Sequence, residues 1–434
     1  MPSLWNHLGF KQNPYFATPI DISAEGCDLF VGRGEEVRRL VNKWDETAGC
    51  VTLIGGNIGT GKTSFLNVCQ FLCMQGVRQF GLAYDPPRLV PAFEKVQIED
   101  DIDDRALLTR ILWAAARSVQ ETYRRDDAEP PPLANQLLAW LGSMTSSEMH
   151  GSSGGASIAG TGFNVGSTES KTMREPHAVP LETLATRLAD LATQVVETGP
   201  YRGMVVALDN IELVPTERLV ALMNKYRDTL FSSPHVWWVL IGQRGLFDLI
   251  DAEAPRVAQR IKGTETTLDG LSWEDFHLAV GARLAHYRTR EDAVGPLSDE
   301  LLRLLFDASA GEIRYVFKMS DQIVSDAIAR KPGVRDIDPG LAEEVLKESI
   351  IGQIKRLGLG PKDHRVLREI GTRHIVRPKD YKDLGFQNAP NFLQGALQPL
   401  QEKGLLSKST QGNAAQYSLR PLGTFGVKFG VFGS

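Results

Sequence analysis

The chain has 434 residues, 42% of them hydrophobic and 23% charged, and a net charge of −5 at pH 7. That length exceeds one compact core, and that composition excludes a fibrous, collagen-like or wholly disordered chain, so two or three folded domains are expected. The charge is uneven: residues 352–434 carry 13 Lys/Arg against 5 Asp/Glu, whereas residues 1–351 carry 35 against 48. A basic C-terminal part thus sits on an acidic body, read either as a solvated face or as the footprint of an electrostatic partner such as nucleic acid.

The opening stretch, MPSLWNHLGFKQNPYF, has neither the basic run nor the apolar centre of a leader, and no later run approaches the roughly 20 apolar residues that span a bilayer. A cytoplasmic protein with no membrane partner is expected. Residues 1–49 read as an N-terminal segment with one helix over 35–44. From Val51 the pattern becomes apolar strand, glycine loop and helix (63–74). The alternation recurs: a short strand over 95–98, helices over 105–124 and 181–198, strands over 203–208 and 236–241 with a helix over 217–230 between them, and a last strand over 264–268. Apolar runs of strand length separated by helices predict an α/β domain over 50–271, its parallel sheet covered on both faces. The Gly/Ser/Thr-rich residues 143–172 interrupt it and are expected to be a mobile insertion. Helical periodicity alone fills 272–351. The four cysteines, Cys27, Cys50, Cys69 and Cys73, form no CxxC pair and have no zinc spacing. Cys69 and Cys73, one helical turn apart, are expected in the core.

The most specific signal is Gly56-Asn57-Ile58-Gly59-Thr60-Gly61-Lys62-Thr63, followed by Ser64. It fits GxxxxGK[ST] at every fixed position and lies between a strand and a helix, as a phosphate loop requires. Glycines let backbone N–H groups wrap a phosphate, the helix adds its positive N-terminus, Lys62 reaches the β/γ oxygens and the Thr63 hydroxyl ligates Mg²⁺. A second acid is needed for the metal and the water. The strand over 204–208 ends in Asp209, at the edge where the phosphate loop begins, and Asp209 is expected to hold Mg²⁺. Glu212 is the candidate to polarise the attacking water. The next strand ends at Gly242-Gln243, which delivers Gln243 to the same edge to sense the γ-phosphate or orient water. Arg256 and Arg260 precede the last strand, where a guanidinium can point at a neighbouring subunit's nucleotide; Arg260 is preferred, with a surface salt bridge as the alternative.

Together with Phe30-Val31-Gly32-Arg33, Leu208-Asp209-Asn210, Gln259-Arg260-Ile261 and Gly311-Glu312-Ile313-Arg314, this loop resembles the AAA+ ATPases. Within them it is most similar to the branch of the origin-recognition initiators and the related STAND switch ATPases. The resemblance implies a phosphate-loop core with a helical lid, ATP and Mg²⁺ as cofactors, a homo-oligomer, and Arg314 as a lid arginine on the γ-phosphate. Two departures stand out. The long separation of Lys62 from Asp209 requires an insertion, and Asn210 stands where many relatives carry a second acid, which implies slow turnover.

From Pro361 the order of helix (362–370), short helix (379–384), helix (390–403) and hairpin resembles bacterial winged helix-turn-helix domains, and residues 352–434 are expected to form one. In the DNA-reading version Asn391, Gln394, Gln398 and Gln401 face base edges, while Arg373, Arg377, Lys379, Lys403 and Lys408 contact phosphates. Against this, the third helix has no Lys or Arg before Lys403, and Pro399 is expected to kink it. Two functions follow: an ATP-controlled oligomeric switch acting on DNA, of the initiator, transposition or mobile-element type, or a STAND-like signalling or phage-defence scaffold that recruits a separate effector protein.

Overall fold

The computed structural model describes residues 4–99, 102–148, 179–334, 337–411 and 414–433. The chain divides into two compact units. One, residues 20–58 and 62–269, holds a sheet; the other, residues 1–19, 59–61 and 270–434, is mainly helical.

The sheet unit is α/β. Its five strands, β1 (Cys50–Gly56), β2 (Val96–Gln97), β3 (Met204–Asp209), β4 (Val236–Gly242) and β5 (Thr266–Leu268), lie in the order β2-β3-β4-β1-β5. Every pairing is parallel. All seven residues of β4 are buried, as are the first five of β3, the signature of a sheet with no solvent face. Trp237 and Trp238 are fully buried on β4, and each indole N–H finds a carbonyl, Trp44 O and Leu230 O respectively, at 3.0 Å. Two bulky rings thus fill the core without stranding a donor.

The helices expected from periodicity form over Gly34–Asp45, Lys62–Gln75, Asp104–Arg125, Leu181–Thr198 and Thr216–Tyr226. A further helix, Pro132–Glu148, packs with Asp104–Arg125 and Leu181–Thr198. It absorbs the first six residues of the expected insertion 143–172; residues 149–172 lie outside the described residues. Cys69 and Cys73 are buried on Lys62–Gln75, where burial pushes both thiols up, and all four cysteines are free.

In the helical unit, Trp273–Tyr287, Asp299–Ala308, Ile313–Arg330 and Pro339–Arg356 come first. The expected boundary between residues 351 and 352 falls inside the last of these. Residues of the N-terminal segment belong to this unit as well. Arg283 is buried between the rings of Phe16 and Phe317, at 4.1 and 4.2 Å, and donates to Phe16 O at 2.9 Å. Burial lowers its pKa to about 10.

Beyond Arg356 follow the helix Pro361–Arg373, a 3₁₀ turn Pro378–Lys382 in place of the expected short helix, a third helical stretch, and the antiparallel strands β6 (Leu406–Gln411) and β7 (Ala414–Leu419). The third stretch carries a π turn directly before Gln398-Pro399. It runs through Ala389–Phe392, a π turn Leu393–Leu397 and Gln398–Glu402. Pro399 has no N–H to donate four residues back. The turn before it widens, and Gln398 N–H bonds Leu393 O, five residues back. A closing helix, Pro421–Lys428, packs on Pro339–Arg356 and Pro361–Arg373. Among the described residues no helix is long and apolar enough to cross a membrane.

Candidate nucleotide site

β1 ends at Gly56 and the next helix opens at Lys62, so residues 57–61 form a loop that delivers the helix N-terminus to the sheet edge. Gly59 and Gly61 have φ of +82° and +88°, values that L side chains rarely adopt, and this conformation turns successive N–H groups inward. Lys62 Nζ donates to Gly56 O at 2.7 Å and Asn57 O at 3.1 Å, so the ammonium is folded over the start of the loop. Thr60 is buried, while Asn57 and Ile58 are exposed at the rim. Thr63 and Ser64 stand on the first turn of the helix. The Ser64 hydroxyl accepts from Ile20 N–H at 3.1 Å, which ties residue 20 of the N-terminal segment to the phosphate-loop helix.

β3 pairs with β4 and β4 with β1, with Gly55 opposite Gly242, so the carboxyl ends of all three strands share one edge. Asp209 ends β3 there. One of its carboxylate oxygens accepts from Asn210 N–H at 2.8 Å and the other has no hydrogen-bond partner among the described residues. Thr63 and Asp209 are hard oxygen donors of the type Mg²⁺ takes, and that open carboxylate oxygen leaves a position for it, so the residues fit the metal.

Asn210 adopts a left-handed conformation, φ 58°, and its amide donates to Gln97 Oε1 on β2. This explains the missing second acid: the position favours Asn, and left-handed backbone costs most L residues about 1–2 kcal/mol. Asn210→Glu is therefore expected to lose about 1 kcal/mol of stability in urea denaturation without raising ATP turnover; a clear gain in turnover would show that the acid was wanted at 210. The same turn sends the chain into a 3₁₀ segment, Ile211–Leu213, which carries Glu212 back over the edge. A Cβ on Gly242 would lie 3.6 Å from Glu212 Oε2. That oxygen is buried with no hydrogen-bond partner among the described residues. Gln243 follows Gly242 directly and is exposed.

Two residues that bear on this edge escape a reading of motifs. Gln97 holds Asn210, as described. Lys95, two residues before it, donates to Asn67 on the phosphate-loop helix, and Asn67 in turn donates to Ile20 O at 2.7 Å. Burial pushes Lys95 down to about 8, with Asp209 and then Asp21 pulling it back up. A lone lysine beside an apolar strand was the one signal the sequence offered.

Arg260 is half-exposed and donates to Asp228 at 3.1 Å. It lines an open cleft of about 440 Å³ with Arg227, Arg256 and Gln259. Arg227 also pairs with Asp228, whereas Arg256 makes no ion pair among the described residues. In the helical unit Arg314 is exposed on the first turn of Ile313–Arg330.

Of the residues expected to meet DNA, Lys379, Asn391, Gln394, Gln398, Gln401 and Lys408 are exposed, and Arg377 and Lys403 are half-buried. Arg373 is occupied by Asp383 at 2.9 Å and Glu369 at 3.5 Å.

No protein-family model and no curated protein matches the chain. Among solved structures it is similar to the ORC2 protein of Aeropyrum pernix in ADPNP–ADP complexes, with 13% identity over 97% of each chain and a TM-score of 0.49. It is similar to the ORC1 protein of Aeropyrum pernix in complex with DNA, with 15% identity over 96% of each chain and a TM-score of 0.48. A Walker-type ATPase of Pyrococcus abyssi aligns at 16% identity over 96% of this chain and 99% of that one, with a TM-score of 0.47.

Proposed function

We propose that the protein is an ATP-binding switch of the AAA+ kind that hydrolyses ATP slowly, assembles as a homo-oligomer and acts on DNA. One observation carries the nucleotide reading: Lys62 is folded over a glycine loop at a helix N-terminus, on the sheet edge where Asp209 ends β3. Backbone N–H groups and Lys62 would bind the phosphates, and Thr63 and Asp209 would hold Mg²⁺, which neutralises the charge that develops as the phosphoryl group transfers. Glu212 would take the proton of the attacking water, with Gln243 orienting it. Arg314 would reach the γ-phosphate. Arg260 would serve a neighbour's nucleotide; its exposed pair with Asp228, of the class that contributes about 0–1 kcal/mol, is readily given up. Arg256, in the same cleft and with no ion pair among the described residues, can share that duty.

In this reading residues 50–271 form the ATPase core, 272–351 the lid and 352–434 a winged helix whose wing is β6–β7. The mass of the purified protein is expected to rise with a slowly hydrolysed ATP analogue and fall with ADP; no change would remove the switch.

The DNA reading rests on the basic charge of residues 352–434. If about six phosphates are contacted, log K is expected to fall against log salt with a slope of about −5, roughly thirtyfold for each doubling of salt. Titration of labelled duplex at several salt concentrations measures this, and a flat response would remove DNA from the proposal. One observation favours a second reading, a scaffold that docks an effector protein: Arg373 is held in ion pairs, and the exposed side of the third helical stretch carries amides rather than cations before Lys403. A duplex gel-shift at low salt, with and without ATP, separates the two.

A further inference from the structure

Gly55 on β1 pairs with Gly242 on β4 and with Thr267 on β5, so two of three neighbouring positions at the sheet edge carry no side chain. Other residues fill the space. A Cβ on Gly242 would lie 3.1 Å from Leu246 Cδ2 and 3.6 Å from Glu212 Oε2, and a Cβ on Gly55 would lie 1.9 Å from Glu265 Oε1 and 2.2 Å from its Cδ. The Glu265 carboxylate therefore occupies the place of a side chain at 55, one residue before the phosphate loop begins.

That carboxylate is bonded to the chain that leaves β4. Gly245 N–H donates to Oε1 and Phe247 N–H to Oε2, each at 3.2 Å, and the Thr267 hydroxyl donates to Oε1 at 3.3 Å. Phe247 stands on the first turn of the helix Leu246–Glu253, whose N-cap is Gly245 at φ 87°. A glycine has no side chain with which to cap its own helix. A carboxylate from the start of β5, on the far side of β1, does so instead, drawn by the positive end of the helix. Arg244 is fastened to the same side, donating to Asp269 just beyond β5 at 2.8 Å. Gln243 lies between these anchors and the buried end of β4. Its exposed side chain has no hydrogen-bond partner among the described residues, so the backbone on either side sets its place.

We propose that Glu265 is a positioning residue for hydrolysis: its carboxylate, laid across Gly55, fastens the turn 243–247 so that Gln243 is held over the strand ends where water attacks. The inference rests on the ATP reading and deepens it by naming what fixes the group that orients water. Affinity for nucleotide is assigned to Lys62 and the loop N–H groups, so a fault at Glu265 is expected in the chemical step. A bare helix cap, by contrast, would show only in stability.

Steady-state turnover and calorimetric titration of the full chain with Mg-ATP test this together. Glu265→Ala is expected to lower turnover about thirtyfold and to change ATP affinity less than about twofold, since a displacement of about 1 Å of a positioned group can cost about a hundredfold in rate. Glu265→Gln keeps one accepting oxygen and is expected to fall between, about fivefold down. In a Gln243→Ala background the loss from Glu265→Ala is expected to shrink to less than about twofold, because Glu265 acts through Gln243. Gly55→Ala reaches the same contact from the other side: the new methyl stands where the carboxylate lies, and turnover is expected to fall as in Glu265→Ala. Thermal melts report folding, and Glu265→Gln carries the test alone if the other variants are unstable. A loss of affinity equal to the loss of turnover, full turnover in the Glu265 variants, or an undiminished effect without Gln243 would overturn the assignment while leaving the ATP reading intact. A wild-type protein that binds ATP without hydrolysing it would overturn the assignment alone, and one that binds no ATP would overturn both.

Discussion

Replacing Lys62 with alanine is expected to weaken ATP binding about a thousandfold. A hydrogen bond to a charged group contributes about 1.5–3 kcal/mol, so loss of two such bonds to phosphate oxygens costs about 4 kcal/mol, or three decades in affinity. The side chain is already organised for the task. Its two carbonyl partners, Gly56 O and Asn57 O, hold the ammonium over the loop rather than out in solvent. Lys62 is only half-buried, so the variant is expected to fold. Calorimetry with Mg-ATP decides the matter, and an unchanged affinity in a folded variant would remove the central assignment.

The second large effect concerns turnover. Glu212→Gln is expected to cut steady-state hydrolysis about a thousandfold, within the range a positioned general base supplies, while ATP stays bound and the assembled form accumulates. Glutamine keeps the shape but cannot take a proton. The choice of Glu212 rests on its place: the 3₁₀ turn carries it back over the ends of β3 and β4, and Oε2 is buried with no partner among the described residues. Buried polar atoms in folded proteins are nearly always paired, so that oxygen calls for a partner, and an attacking water suits it. Phosphate release alongside nucleotide retention measures both halves of the expectation. Undiminished turnover would move the water-positioning role to Gln243 or Asn210.

Much of the sheet unit was legible because local pattern and global fold agree there. An apolar run ending in Asp209 and another ending in Gly242-Gln243 can hardly be anything but buried parallel strands, and the phosphate loop is fixed by its glycines. The helix Pro132–Glu148 escaped because its later residues, Ser143, Thr145, Ser146 and Ser147, share the composition of the stretch that follows. The closing helix Pro421–Lys428 was hidden by Gly423 and Gly426, poor helix formers in isolation. Gly426 is forced by packing, since a Cβ there would lie 2.4 Å from Phe432. Arg283 was passed over because its aromatic sandwich joins Phe16 to Phe317, and no local signal carries contacts of that range.

The widened turn at Leu393–Leu397 has a consequence for any ligand that lies along that segment. One extra residue between backbone bonds offsets the angular phase of everything after it by roughly 100°, the step between neighbours on an ordinary helix. Asn391 and Gln394 therefore belong to one azimuth and Gln398 and Gln401 to another, so the four amides counted as one strip at 3.6 per turn wrap around the axis instead. A partner that follows them must curve with them.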